Sequence, residues 1–95
     1  NFIVFVSNEV IYQPKASVRV YPNPMIDIAN FEVSGIDYEI LELEIYSTAG
    51  QLIRRIEGPS DSILQMQRNN LSTGLYFYSL KADGEQIEAG KVMVK

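Results

Sequence analysis

Glu42 and Glu44 are the side chains of this sequence whose type and spacing first suggest chemistry. They stand one residue apart in Leu41-Glu42-Leu43-Glu44-Ile45-Tyr46. On an extended chain they would share a side, and two steps of about 3.3 Å each separate them by roughly 7 Å. Inverting glycosidases space their acid and base similarly. Any alternating acidic strand produces the same geometry, however, and nothing nearby in the sequence encloses the pair, so both are read as a solvated sheet face. Asn23, Asp27 and Asn30, or Asp37 with Glu39, could offer oxygens to calcium. Neither group has the carboxylate density and glycine placement of a calcium loop, so no metal site is expected and Asn23 is read as a turn residue. Tyr76, Phe77 and Tyr78 could form an aromatic platform for sugar or single-stranded nucleic acid. No basic residues flank them, which argues against nucleic acid. In a strand, Leu75 and Phe77 would share one face and Tyr76, Tyr78 and Leu80 the other, which favours core and sheet-surface packing.

Other chemistries are closed by composition. The chain has no histidine and no cysteine, so it can build no Ser-His-Asp triad, thiolate nucleophile, His-ligated zinc site or disulfide. With 8 Lys and Arg against 12 Asp and Glu, the net charge is -4. That balance disfavours nucleic acid, whose affinity comes mainly from cations neutralising phosphates. The expectation is a protein that is not an enzyme and carries no cofactor.

The elements behind these residues read as strands. Leu41, Leu43 and Ile45 recur with period two, the pattern of a strand with one buried face. Val18-Arg19-Val20, Phe31-Glu32-Val33, Leu64-Gln65-Met66, Leu75 through Leu80 and Lys91 through Val94 follow the same pattern less cleanly, and no sustained helical stripe occurs. Pro22 and Pro24 remove two backbone donors, so the stretch after Val20 must be a turn or an edge. Ser34-Gly35, Ala49-Gly50, Gly58-Pro59, Thr73-Gly74 and Asp83-Gly84 read as turns, Asp83-Gly84 most clearly as a hairpin. Short strands at such spacing predict an all-β fold, an immunoglobulin-like antiparallel β-sandwich of about seven strands.

At 95 residues, 46% hydrophobic and 21% charged, the chain can build one modest core. Residues 18–95 are assigned to that domain. Residues 1–17 are read as the tail of a preceding domain plus a linker, with an extra edge strand as the alternative. Phe2 to Val6 is apolar on both faces, as in a strand buried in another core, and Gln13-Pro14-Lys15-Ala16-Ser17 has linker composition. Five apolar residues are far short of the about 20 that a spanning helix needs. The start does not resemble a signal peptide, and the chain is expected to be a terminal piece of a longer protein.

Val20-Tyr21-Pro22-Asn23-Pro24, Ile45-Tyr46 leading to Gly50, Leu71 with Gly74 and Tyr76, and Lys91-Val92-Met93-Val94-Lys95 follow one another in that order. Together they resemble the C-terminal sorting domain, type A, of proteins exported by the type IX secretion system of certain Gram-negative bacteria. Where that family commonly has Asp or Asn after Ile-Tyr and Pro-Ala before the third-motif glycine, this chain has Ser47 and Ser72-Thr73. The resemblance implies a secretion signal that carries an N-terminal cargo domain through the periplasm to an outer-membrane translocon. A sortase-like peptidase would then usually remove it, leaving cargo released or attached to the cell surface. It further implies that Lys91, Val92, Met93, Val94 and Lys95 are the recognition segment, that Pro22, Asn23, Pro24, Gly50 and Gly74 hold turns, and that cleavage falls near Gln13 to Ser17. Self-pairing into a homodimer is left open. The competing expectation is an immunoglobulin-like accessory module that binds carbohydrate or packs beside another domain.

Overall fold

A computed structural model describes residues 2–6, 9–13, 16–60 and 63–95, the first two segments by backbone course alone. Pro14 and Lys15 of the expected linker therefore lie outside the described residues. Strands β1 (Phe2–Val6) and β2 (Glu9–Gln13) pair antiparallel with each other, Phe2 opposite Gln13, and among the described residues join no other sheet.

The remaining seven strands are β3 (Ser17–Tyr21), β4 (Ile28–Ser34), β5 (Ile40–Tyr46), β6 (Leu52–Pro59), β7 (Leu64–Gln67), β8 (Gly74–Ala82) and β9 (Glu85–Val94). They form one sheet of order β3-β4-β7 and a second of order β6-β5-β8-β9, every pair antiparallel. This is the expected seven-strand sandwich, with first, second and fifth strands in one layer and the others in its partner, an immunoglobulin-like layout.

Period-two alternation builds its core. Leu41, Leu43 and Ile45 of β5, Tyr76, Tyr78, Leu80 and Ala82 of β8, and Val92 and Val94 of β9 face inward from one sheet. Ala29 and Phe31 of β4 and Leu64 and Met66 of β7 meet them from the other. Phe31 and Tyr78 make the contact between layers, ring centroids 5.1 Å apart and planes at 74°, the edge-to-face geometry aromatic quadrupoles favour.

The hairpin expected at Asp83-Gly84 connects β8 and β9, with positive φ at both residues (51° and 83°). Asp83 also ties the start of the neighbouring strand β5: its carboxylate accepts from the backbone amides of Glu39 and Ile40, the latter at 2.9 Å. Gly58-Pro59, expected as a turn, instead belongs to β6, whose outer position in the sheet tolerates the missing proline donor. Strand β6 itself has no period-two signature. Tyr46 pairs with Leu52 and Ile45 with Arg54, so Ile53 is an extra residue in the ladder and breaks the alternation.

Candidate functional site

The four sequence motifs, scattered over most of the chain, meet at one pole of the sandwich. Strand β3 ends there at Tyr21, the β5–β6 turn places Gly50 there, β8 begins there at Gly74, and β9 ends there. Register carries the relationship across the sheet: Leu52 lies opposite Tyr46, Tyr46 opposite Phe77, Phe77 opposite Lys91, and Gly74 opposite Val94. Gly50 turns the chain at φ +86° while its amide donates to the Ser47 carbonyl at 2.9 Å.

Strand β9 is the outermost strand of its sheet, yet its edge is closed at residues 91–95. Asn23 accounts for the first half. Its Nδ2 donates to the Lys91 carbonyl at 3.2 Å and its Oδ1 accepts from the Met93 amide at 3.0 Å. The Met25 amide then donates to the Met93 carbonyl, and the Lys95 amide to the Met25 carbonyl, both at 2.8 Å. Met25 and Val94 form a parallel bridge, and the Met25 side chain is fully buried. An outermost strand ordinarily offers free donors and acceptors to another chain. From Lys91 to Lys95 this one does not. The outward groups are taken by Met25 and by the Pro-Asn-Pro segment before it, whose prolines have no N–H of their own and whose asparagine supplies a side-chain amide instead.

Arg68 holds the same pole from the other sheet, and sequence reasoning did not find it. Its Nε donates to the Leu71 carbonyl at 3.1 Å, its Nη2 to Thr73 Oγ1 at 3.0 Å, and its Nη1 to the main-chain oxygen of Lys95. One planar guanidinium thus ties the third motif to the end of β9. Tyr76 packs beneath the same loop and donates its hydroxyl to the Ser72 carbonyl at 2.8 Å. Ser72 and Thr73, where the chain departs from the commoner Pro-Ala, are both used in these contacts.

Glu44 corrects the expectation of a solvated acidic face. It is only 3% exposed. Arg55 from β6 donates to it at 2.8 Å, Lys81 from β8 lies 3.1 Å away, and the Tyr46 hydroxyl donates at 3.1 Å. Hydrogen bonds from Arg55 and then Lys81 outweigh burial and hold its carboxyl at about 2. Burial, followed by the hydrogen bond to Glu44, pushes the Tyr46 phenol up. Glu42 is shared with Arg55 at 3.8 Å. The pKa of the Glu44 carboxyl, held by cations on a sheet face, is lowered, whereas a catalytic acid needs a raised one.

The remaining candidates are absorbed by packing or turns. Asn30 donates to the Tyr21 carbonyl and accepts from Gln65. Among the described residues no three His, Cys, Asp or Glu side chains converge as for a metal ion. Tyr76 and Tyr78 are core residues, and Phe77 alone of the three rings reaches solvent. What the pole can do is display a short strand, closed at its edge and on its inner face, with Lys91, Met93 and Lys95 outward.

The fold and this pole define a small all-β module whose sequence motifs gather around the end of its outermost strand β9. Residues 19–95 match the family described as the secretion system C-terminal sorting domain. The chain belongs to this family, a non-catalytic C-terminal signal for secretion by the type IX system. It is also similar to a protein named ulvan lyase NLR42 from Nonlabens ulvanivorans, with 29% identity over 82 residues, covering 86% of this chain and 15% of that protein.

Proposed function

We propose that residues 18–95 carry a covalently joined cargo on their N-terminal side to the type IX translocon and onward to the cell surface or medium. The observation that carries this reading is the construction of the pole. Asn23, Met25 and Arg68 all fix residues 91–95, the terminal signal, in one defined conformation. Such fixing lowers the ordering cost that a partner would otherwise meet on binding. The short match to the much longer lyase agrees with a tail that serves larger proteins.

Residues 1–17 are the tail of what precedes the sorting domain, and Gln13 to Ser17 is the neighbourhood in which a sortase-like peptidase cuts. Support comes from the β1–β2 hairpin, which among the described residues pairs only with itself, and from the sandwich's first strand, β3, opening at Ser17, the last residue of that neighbourhood. Ala16 lies outside any strand.

The test is a periplasmic reporter fused ahead of the whole chain and expressed in matched hosts with and without the secretion machinery. Delivery to the surface or medium is expected only where the machinery is present and is lost when the chain ends at Gly90. Retention of the reporter in both hosts would refute the reading.

A further inference from the structure

Residues 91–95 have three sides through which a partner could meet them. The inner face is closed, since Val92 and Val94 are fully buried in the core. The edge is closed by Asn23 and Met25. Only the outer face is open, where Lys91, Met93 and Lys95 point to solvent.

That face does not stop at β9. Side chains paired across strands share a face, so Phe77 stands beside Lys91 and Leu75 beside Met93, with Tyr46 and Leu52 continuing the row from Phe77. Phe77, Met93 and Leu52 are 37%, 39% and 44% exposed, although they are large apolar residues. No carboxylate stands in these rows. The next one along the outer face, Glu44, is already neutralised by Arg55 and Lys81. Lys91 and Lys95 are about 13 Å apart along the strand, and neither ammonium has an ion-pair or hydrogen-bond partner among the described residues. In a chain of net charge -4, this pole has an apolar centre flanked by unpaired cations.

We infer that the outer face of the four-stranded sheet at this pole, centred on Phe77 and Met93 and flanked by Lys91 and Lys95, docks onto a folded protein surface that presents carboxylates around an apolar patch. The inference rests on the export reading above and specifies which side of the terminal strand is read and by what chemistry. Burying the apolar centre supplies affinity, and the lysines choose the partner and its orientation. An anionic bilayer fits less well, because two lysines would have to overcome the acidic remainder of the domain.

The test uses the full chain behind the same reporter in a host with the machinery. Phe77→Ser with Met93→Ser, and separately Lys91→Glu with Lys95→Glu, are each expected to reduce delivery by at least about tenfold, the effect of weakening one interface cluster. Ile40→Ser with Ile63→Ser, altering apolar residues 52% and 46% exposed elsewhere, is expected to leave delivery unchanged. Unfolding midpoints of the purified fusions establish that all three pairs remain folded, and the lysine pair, being exposed, carries the test should the apolar pair not fold. Normal delivery of the folded apolar pair or of the lysine pair, while the chain ending at Gly90 is retained, would overturn the docking face and leave the export reading standing. Delivery of the chain ending at Gly90 would overturn the export reading itself. Equal loss in the Ile40 and Ile63 control would also overturn the docking face. So would sedimentation of the chain with phosphatidylethanolamine and phosphatidylglycerol vesicles that disappears on Lys91→Glu with Lys95→Glu.

Discussion

Asn23 and Met93 meet as though the asparagine side chain were one more peptide unit of the sheet: Oδ1 accepts the Met93 amide at 3.0 Å while Nδ2 donates to the Lys91 carbonyl at 3.2 Å. An unprotected last strand would be a template for pairing with other chains. Asn23 and Met25 together therefore explain how β9 can be outermost in its sheet without an open edge at its tip.

Asn23→Ala removes both bonds. Water can reach this edge, so the cost should be near that of an ordinary hydrogen-bond deletion, about 1 kcal/mol, or roughly 4–8 °C in the unfolding midpoint of a domain this size. The sharper readout is local. Hydrogen exchange at the Met93 amide should accelerate well beyond the global change. Asn23→Asp should not restore the wild-type protection, because it keeps an acceptor for Met93 but sets a carboxylate oxygen against the Lys91 carbonyl. Unchanged Met93 exchange in Asn23→Ala would show that the side chain does not cap the edge.

Glu44 makes acid stability measurable. Its carboxyl is held at about 2 in the folded protein against an ordinary value of 4.5. The unfolded chain therefore takes up this proton first as pH falls, and the stabilisation, complete above about pH 4.5, is lost between there and about 2. Glu44→Gln should flatten the stability-versus-pH profile in that window. At neutral pH it should cost about 1–2 kcal/mol, the range for hydrogen bonds to a charged group whose partners are partly solvated. Parallel acid profiles for the two proteins would contradict this account.

The close approach at Gly90 sets a steric limit on β9 just before residues 91–95. A Cβ there would lie 2.8 Å from the Tyr78 hydroxyl and 2.9 Å from two of its ring carbons. The ring has little room to retreat, because its other side packs on Phe31. Gly90→Ala should destabilise by about 1–3 kcal/mol through overpacking. In a denaturant double-mutant cycle with Tyr78→Leu, the two changes should couple, the alanine costing less once the ring is gone. Simple additivity would mean that the contact is relieved without strain.

The parts of this fold that were legible in the sequence are those whose information is local. Leu41, Leu43 and Ile45 declare their strand by alternation, Asp83-Gly84 its hairpin, and Pro22 with Pro24 the end of β3. Long-range pairings were not legible. Glu44 reads as a surface residue until the partner strands bring Arg55 and Lys81 over it. Asn23 reads as a turn residue because the groups it caps lie 68 and 70 positions away. The terminal motif was visible as a segment, but the closing of its edge depends on Asn23 and Met25, which meet it only in three dimensions. Strand β6 was missed because the extra Ile53 cancels the period by which strands are recognised.

Arg68 is the residue at the pole that no pattern announced, and its role separates from simple charge. Its guanidinium reaches three acceptors in different directions: the Leu71 carbonyl, the Thr73 hydroxyl and the main-chain oxygen of Lys95. A lysine ammonium is one compact centre and cannot span them, so Arg68→Lys should recover little of what Arg68→Ala loses. We expect a loss of about 1–3 kcal/mol for Arg68→Ala by urea unfolding. For both variants, amide exchange at Leu71 and Lys95 should rise together while the Leu43 amide in central strand β5 follows only the global change. Such paired loosening would identify Arg68 as the tie between the β7–β8 loop and the end of β9. Full recovery by lysine would reduce its part to positive charge near the last residues.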